Sequence, residues 1–165
     1  MKKILILSFC MLFLVSAGAH GQSRREEKAA RKAAVGEQVK TLIGSGSFLI
    51  VFDRANPTGG RSVMLSPAYE MKFDSNRVSA YLPYFGRSYS PPANPARLAF
   101  DLTDRQVEPE ISSDPRKGYT ILFTATTESA ETIKCYLKIS LSGTASLSIN
   151  SNFRSSISYL GNLKM

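Results

Sequence analysis

The chain contains almost no histidine and almost no cysteine. Its one histidine is His20, close to the end of an N-terminal apolar segment, and its two cysteines are Cys10 and Cys135. A body without histidine excludes a Ser-His-Asp triad, a histidine general base and a histidine metal ligand. Because Cys135 is the one cysteine beyond the apolar segment, an intrachain disulfide is excluded as well. These absences remove the commonest hydrolase designs.

Signatures of nucleotide or metal binding are also missing. Gly44-Ser45-Gly46 lacks the Lys-Ser/Thr pair of a phosphate-binding loop, and Gly59-Gly60 lies in a turn instead of opening a helix. No acidic run has the spacing of a calcium loop. We therefore expect no cofactor and no metal.

The apolar run near the N-terminus is too short to cross a membrane. Ile4 to Val15 follow lysines at positions 2 and 3 and precede the small residues Ala17, Ala19 and Gly21. This order is typical of a secretory signal peptide, whereas an uncleaved anchor helix would need a longer apolar stretch. We predict a signal peptide over residues 1–21, cleaved after Ala19 or, preferably, after Gly21.

The remaining 144 residues are predicted to be exported and to form one domain. The destination is the periplasm or the extracellular space, with no membrane span after cleavage. Cys10 follows Phe9 inside the apolar run, without the small residues that precede a lipidated cysteine, so no lipid anchor is expected.

The net charge of +8 is unevenly distributed. Residues 22–43 carry six Lys/Arg against three Glu, whereas residues 44–165 carry thirteen basic residues against ten acidic ones. So small an excess, without a recognised motif, predicts no nucleic-acid partner.

The spacing of apolar residues changes near residue 47, from a helical pattern to an alternating one. Residues 22–46 have a helical pattern, in which a charged, alanine-rich first half precedes a stripe of Val35, Val39, Leu42 and Ile43. We predict that this stripe packs on a sheet and that the first half is solvated; binding of the helix to a membrane surface is the alternative.

Residues 47–165 form the predicted β domain, because apolar residues there alternate with polar ones. The clearest case is Ile133 to Leu141, in which Cys135 faces inward, followed after Ser142-Gly143-Thr144 by a second alternating run from Ala145 to Asn150. Similar runs are found at 48–53, 61–65, 69–73, 77–82, 98–102, 119–126 and 155–163. Eight or nine such strands separated by turns predict a mainly β, antiparallel meander, either a sandwich or a partly closed barrel, with one N-terminal helix.

Prolines interrupt residues 83–97, which we expect to be irregular. The first part of this segment concentrates aromatic residues and an arginine, a composition found both at contact sites and in loops packed over a barrel mouth. Tyr84, Phe85, Arg87 and Tyr89, with Arg61, are the candidate binding residues.

Three segments carry a resemblance to a known family: Gly59 to Val63, Tyr81 to Arg87 and Ser155 to Gly161. They resemble DUF4251, a domain-of-unknown-function family of exported bacterial proteins found mainly in Bacteroidetes. The resemblance spans about residues 35–163 and implies a signal peptide, a charged helical lead and a β-rich body. It provides no catalytic residues, and it marks either shared structure or a shared site.

Two functions remain open. The first is a non-enzymatic binding or scaffold domain whose partner is a small molecule inside a barrel, a glycan stacked on Tyr and Phe, or an envelope protein at a strand edge. The second is a small hydrolase or lyase without histidine that uses carboxylates together with Arg or Tyr, in which Arg61 and Arg87 could stabilise negative charge. Its candidate acids are Asp101, Asp104, Glu108 and Glu110. For Glu108 and Glu110 the solvated face of an edge strand is the simpler interpretation.

Overall fold

The computed structural model describes residues 19–89 and 98–165, with side chains from Arg24 onward. Within these ranges the chain forms one helix, α1 (Ala19–Gly44), followed by ten strands. The strands are β1 (Ser47–Pro57), β2 (Val63–Met64), β3 (Glu70–Asp74), β4 (Arg77–Pro83), β5 (Ala99–Gln106), β6 (Glu110–Asp114), β7 (Gly118–Thr126), β8 (Thr132–Ile139), β9 (Thr144–Ser151) and β10 (Ile157–Leu163). Most of the predicted signal peptide, residues 1–18, and the proline-rich residues 90–97 lie outside the described residues.

All described strand pairs are antiparallel, and they form one curled sheet. Its order is β5-β4-β3-β1-β10-β9-β8-β7-β6, with the short β2 beside β1. The sheet curls into a half-barrel, which confirms the predicted mainly β meander and its partly closed barrel form. Neighbours along the chain are mostly neighbours in the sheet. The main exceptions are β10, which returns to pair with β1, and the consecutive strands β5 and β6, which lie at opposite edges.

The concave face of the half-barrel is filled by apolar side chains at alternate positions. Ile133, Cys135, Leu137 and Ile139 of β8 are buried, as the sequence alternation predicts. Large residues from neighbouring strands, among them Phe52, Phe73, Phe100 and Tyr159, fill the space between them. Burial of this area supplies most of the driving force for folding. Cys135, the one cysteine among the described residues, is a free thiol.

Helix α1 uses its last turns to cover this core. Val39 and Ile43 are buried and Val35 and Leu42 are partly buried, whereas residues 24–34 are exposed. The predicted stripe is therefore the packing face. Gly46, at a φ of 72°, ends the helical segment by donating its N–H to the carbonyl of Ile43 at 3.1 Å. Among the described residues, no helix is long and apolar enough to cross a membrane.

Gly161 allows β1 and β10 to approach each other at a bulge. The register between these strands shifts between Phe52 and Arg54, and a Cβ on Gly161 would lie 2.1 Å from the carbonyl oxygen of Val51. Any larger residue would displace the backbone of β1.

Candidate functional site

Two of the segments that carry the family resemblance hold each other through Tyr84. Its hydroxyl donates to the carbonyl oxygen of Arg87 at 2.7 Å and lies 2.8 Å from the hydroxyl of Ser155, while the backbone N–H of Arg87 donates to Ser155 Oγ at 3.1 Å. The ring of Tyr84 is buried edge-on against Phe100, with centroids 5.4 Å apart. Tyr84, one of the predicted contact residues, is therefore packed inside the fold.

Gly86 and Tyr159 complete this contact. A Cβ on Gly86 would lie 2.3 Å from the Tyr84 hydroxyl and 2.6 Å from Ser155 Oγ, so the loop can close over Tyr84 only with glycine at this position. The hydroxyl of Tyr159 donates to the carbonyl of Pro83 at 2.9 Å, and burial raises the pKa of this phenol above its usual range. The family-like segments around Tyr84 and Ser155 thus form a structural clamp.

Beyond the clamp, residues 87–89 pair with residues 153–155 as a short antiparallel ladder. Ser155 donates its N–H to the carbonyl of Arg87 at 2.9 Å, and Tyr89 donates to that of Phe153 at 2.8 Å. Ser88 and Arg154 form the bridge between these two bonds. Because neighbours in a strand point to opposite faces, Arg87, Tyr89 and Phe153 share the face opposite to Arg154.

This face is open to solvent and rich in aromatic surface. Tyr89 is 69% exposed and Phe153 is 46% exposed, and the two lie directly across the ladder from each other. Arg87 is exposed, and Phe85, two residues earlier, is 43% exposed. We call Phe85, Arg87, Tyr89 and Phe153 the rim surface. It contains three of the predicted contact residues, and Phe153 is the member that the sequence analysis missed.

Under the rim surface lies a buried ion pair that the sequence analysis also missed. Arg154 Nη2 lies 2.8 Å from Glu131 Oε2, and both side chains are almost completely buried. The guanidinium of Arg154 also stacks over the rings of Tyr84 and Phe100, at 5.2 and 4.9 Å from their centroids. The hydroxyl of Ser151 donates to the other oxygen of Glu131. The inward face of the ladder is therefore anchored to the β7–β8 turn.

One of these two charges had a signal in the sequence. Glu131 has the same parity as the inward residues Ile133, Cys135 and Leu137, so extending the alternation of β8 by one step would place it inside. Arg154 lies in the connection between β9 and β10, where no alternation assigns a face.

Arg61 lies in the turn between β1 and β2, and its side chain is exposed. Thr58 of the same turn donates its N–H to the carbonyl of Ser156 at 3.2 Å, and its hydroxyl to the same oxygen at 2.8 Å. The turn that carries Arg61 is thereby attached to the residue after Ser155 of the clamp.

The candidate acids do not form one group: Asp101 and Asp104 lie on β5, where each has a hydrogen-bond partner, and Glu110 lies on β6. Asp104 on β5 binds Arg77, whose Nε lies 2.6 Å from Asp104 Oδ1, and this hydrogen bond holds the pKa of Asp104 below its usual range. Asp101 accepts from the hydroxyl of Thr103 at 2.9 Å. Glu110 begins the edge strand β6 and is exposed, as the simpler interpretation predicted. Within the described residues, no three acidic, histidine or cysteine side chains are grouped to hold a metal ion.

Cys135 is a core residue. Burial raises the pKa of its thiol to about 12, so almost none of the reactive thiolate exists at neutral pH. This agrees with the predicted inward orientation of its side chain.

Comparison with known proteins connects this half-barrel and clamp to one family. The class defined by the structure is an antiparallel half-barrel covered by an N-terminal helix. The chain belongs to the domain-of-unknown-function family DUF4251, whose model matches residues 30–163. This confirms the resemblance found in the sequence.

The fold is similar to that of a solved family member. A crystal structure of a DUF4251 family protein from Bacteroides eggerthii superposes with a TM-score of 0.59 at 17% identity, covering 81% of this chain and 89% of that chain. No curated protein matches the chain.

Proposed function

We propose that this chain is an exported, non-enzymatic binding domain of the cell envelope, and that it meets a protein partner through the rim surface. Support for export comes from the order of basic, apolar and small residues over positions 1–21. Support for a role in binding comes from the geometry of the rim surface and from the packed interior of the half-barrel.

The observation that carries the proposal is that the exposed Tyr89–Phe153 pair is held in a fixed position by the residues below it. Two backbone hydrogen bonds fix the ladder, and the buried Arg154 anchors its other face to Glu131. Tyrosine and arginine are enriched among the residues that dominate binding energy at protein interfaces. Aromatic groups that are already held in place lose little conformational freedom on binding, so more of the contact energy appears as affinity.

The filled interior favours a surface site over a ligand site inside the barrel. Phe52, Leu82, Phe100, Leu137 and Tyr159 are fully buried on the concave face. Within this core an apolar ligand would have to displace such side chains, at the cost of their mutual contacts. A cavity of about 670 Å³ between helix α1 and the sheet, lined by Ala33, Tyr119 and Leu141 among others, lies outside the packed core. Of the partners left open by the sequence, a protein or a glycan at the surface therefore fits better.

The arrangement of the acids does not favour the alternative hydrolase or lyase. That function needs two carboxylates facing Arg87, whereas Asp104 is bound to Arg77 of β4, at the end of β5 away from Pro83 and the loop that carries Arg87.

Affinity capture from cell-envelope fractions tests the proposal. The bait is the tagged protein, compared with the double variant Tyr89→Ala/Phe153→Ala and with the control Tyr81→Ala, which removes a half-exposed ring on β4. We expect one envelope protein to be enriched by the wild type and by the control, and to fall more than about tenfold with the double variant.

Two results would overturn this proposal. One is a partner retained by the double variant or lost equally with Tyr81→Ala; the other is no enriched envelope protein at all. If a glycan array shows a sugar that is bound by the wild type and lost with the double variant, the rim surface is a sugar site instead of a protein site.

A further inference from the structure

Strand β6 ends the sheet with one edge unpaired. Its five residues pair with β7 from Glu110 opposite Leu122 to Asp114 opposite Gly118. Among the described strands, none pairs with the other edge of β6. Four of the five residues are exposed and Asp114 is intermediate. The last two, Ser113 and Asp114, line a cavity that they share with helix α1. A row of backbone N–H and C=O groups at such an edge is a template for another strand.

The concave side of β6 offers an uncovered apolar residue. Ile111 lies directly opposite Ile121, which is fully buried, yet Ile111 is 50% exposed. The apolar surface of the half-barrel therefore extends one strand beyond the part that the chain itself covers. An additional strand along β6 would bring a side chain against Ile111 and remove this surface from water.

The convex side of β6 is acidic. Glu110 and Asp114 have the same parity and lie on the convex side, with Ser112 between them. Asp114 Oδ1 accepts the N–H of Arg116 at 2.8 Å, and its Oδ2 lies 3.9 Å from Lys117 Nζ, so a basic residue opposite Asp114 would share this carboxylate with Lys117. Self-pairing of two β6 strands centred on Ser112 would place Glu110 of each copy opposite Asp114 of the other. Like charges directly opposite are destabilising, so the edge disfavours a second copy and favours a basic strand.

A groove extends this acidic side past the start of β6. It has a volume of about 780 Å³ and is lined by Glu108, Glu110, Leu122 and Thr124, with Lys134 on its β8 wall. Two carboxylates against one ammonium give the groove a net negative charge. A lysine or arginine opposite Glu110 would extend its side chain over the convex side of β6 towards this groove, with its apolar stem near Leu122.

We propose that β6 binds an extended basic segment of a partner protein as an added antiparallel strand. Register then fixes the sequence that it recognises. A residue opposite Asp114 is followed three positions later by the residue opposite Ile111 and four positions later by the residue opposite Glu110. The segment therefore reads basic, any, any, apolar, basic. This surface is separate from the rim surface, and it adds a second contact to the binding function proposed above.

Titration of isotope-labelled protein with the peptide Thr-Lys-Thr-Thr-Val-Lys-Thr, followed by amide NMR shifts, tests the proposal. Its control has both lysines replaced by glutamate. We expect shifts at residues 110–114 and 118–122 with the basic peptide, and affinity at least about tenfold weaker for the control. No shifts at millimolar peptide, shifts elsewhere, or equal binding of the control would overturn the proposal.

Backbone methylation of the peptide tests whether it binds as a strand. An added strand uses only the N–H groups of alternate residues for pairing, so methylation of one alternate set should abolish binding and methylation of the other should preserve it. Equal effects of the two sets would contradict strand addition.

Variants of the protein complete the test. Glu110→Lys/Asp114→Lys should weaken binding of the basic peptide about tenfold or more, and the charge-matched control Glu70→Lys/Asp74→Lys, at two exposed acids of β3, should not. Tyr89→Ala should also leave peptide binding unchanged. Because of this, failure of the β6 proposal and failure of the rim-surface proposal are distinguishable.

Discussion

The two edge strands of the sheet, β5 and β6, differ in how far other parts of the chain cover them. At β5 the carbonyl of Asp101 accepts the N–H of Glu128 at 3.0 Å, and Arg105 forms an ion pair with the Glu128 side chain. Phe100 of the same strand is buried beneath Arg154 and Tyr84. At β6 Ile111 remains half exposed, although it lies on the concave face.

The difference shows two ways in which the edges of an open sheet are protected from pairing. The β7–β8 turn folds across one edge, and the Glu131–Arg154 pair fixes that turn to the ladder under the rim surface. The other edge is protected by short length and acidic charge, the usual protection of an open edge. We therefore expect substitutions at the β5 edge to have the larger effect on stability, and the β6 edge is the one to which we propose that a basic strand adds.

Among the substitutions considered, breaking the buried Glu131–Arg154 ion pair should cause the largest loss of stability. Arg154→Ala leaves Glu131 charged and buried without its partner, and we expect a loss of about 3–5 kcal/mol in the free energy of unfolding. Urea denaturation measures this loss. Glu131→Leu/Arg154→Met, which removes both charges, should be less harmful; a double variant at least as unstable as Arg154→Ala would contradict this explanation.

Truncating one apolar residue on each edge compares the two directly. Phe100→Ala opens a cavity in the core and should cost about 3–5 kcal/mol, whereas Ile111→Ala, at a half-exposed position, should cost about 1 kcal/mol or less. Both values come from urea unfolding midpoints and slopes. Similar losses at the two positions would mean that the β6 edge is covered in solution.

The smallest expected effect on stability is that of the exposed Arg77–Asp104 pair at the end of β5. The Arg77 guanidinium holds the pKa of Asp104 below its unfolded value, so this pair stabilises the protein above the unfolded pKa, and that contribution is lost as the pH falls through the folded pKa. The difference in melting temperature between the wild type and Asp104→Asn should therefore shrink on acidification. A constant difference would show that the carboxylate charge does not matter.

Much of the fold could be predicted from local pattern. The inward residues of β8, its hairpin with β9, the packing stripe of α1 and the edge position of Glu110 all follow from periodicity or charge. The ends of the strands were predicted less accurately than their existence. The run at 61–65 contains only the two-residue β2, and the last strand begins at Ile157 instead of Ser155, because Ser155 is used in the clamp.

The candidate site was predictable only in part. Composition pointed to residues 84–89, but it could not separate the buried Tyr84 from the exposed Tyr89, because that depends on hydrogen bonds to Ser155, 71 residues away. Phe153 and Arg154 were missed for the same reason. Their faces are set by pairing with residues 87–89, which is a long-range contact without a local signal.

Site-specific photo-crosslinking in living cells tests the central claim most directly. A benzophenone amino acid replaces Tyr89 in one strain and Tyr81, on the exposed face of β4, in another. The proposed function predicts a discrete adduct with an envelope protein from position 89 and none from position 81. No adduct at position 89, or the same adduct from both positions, would contradict recognition through the rim surface.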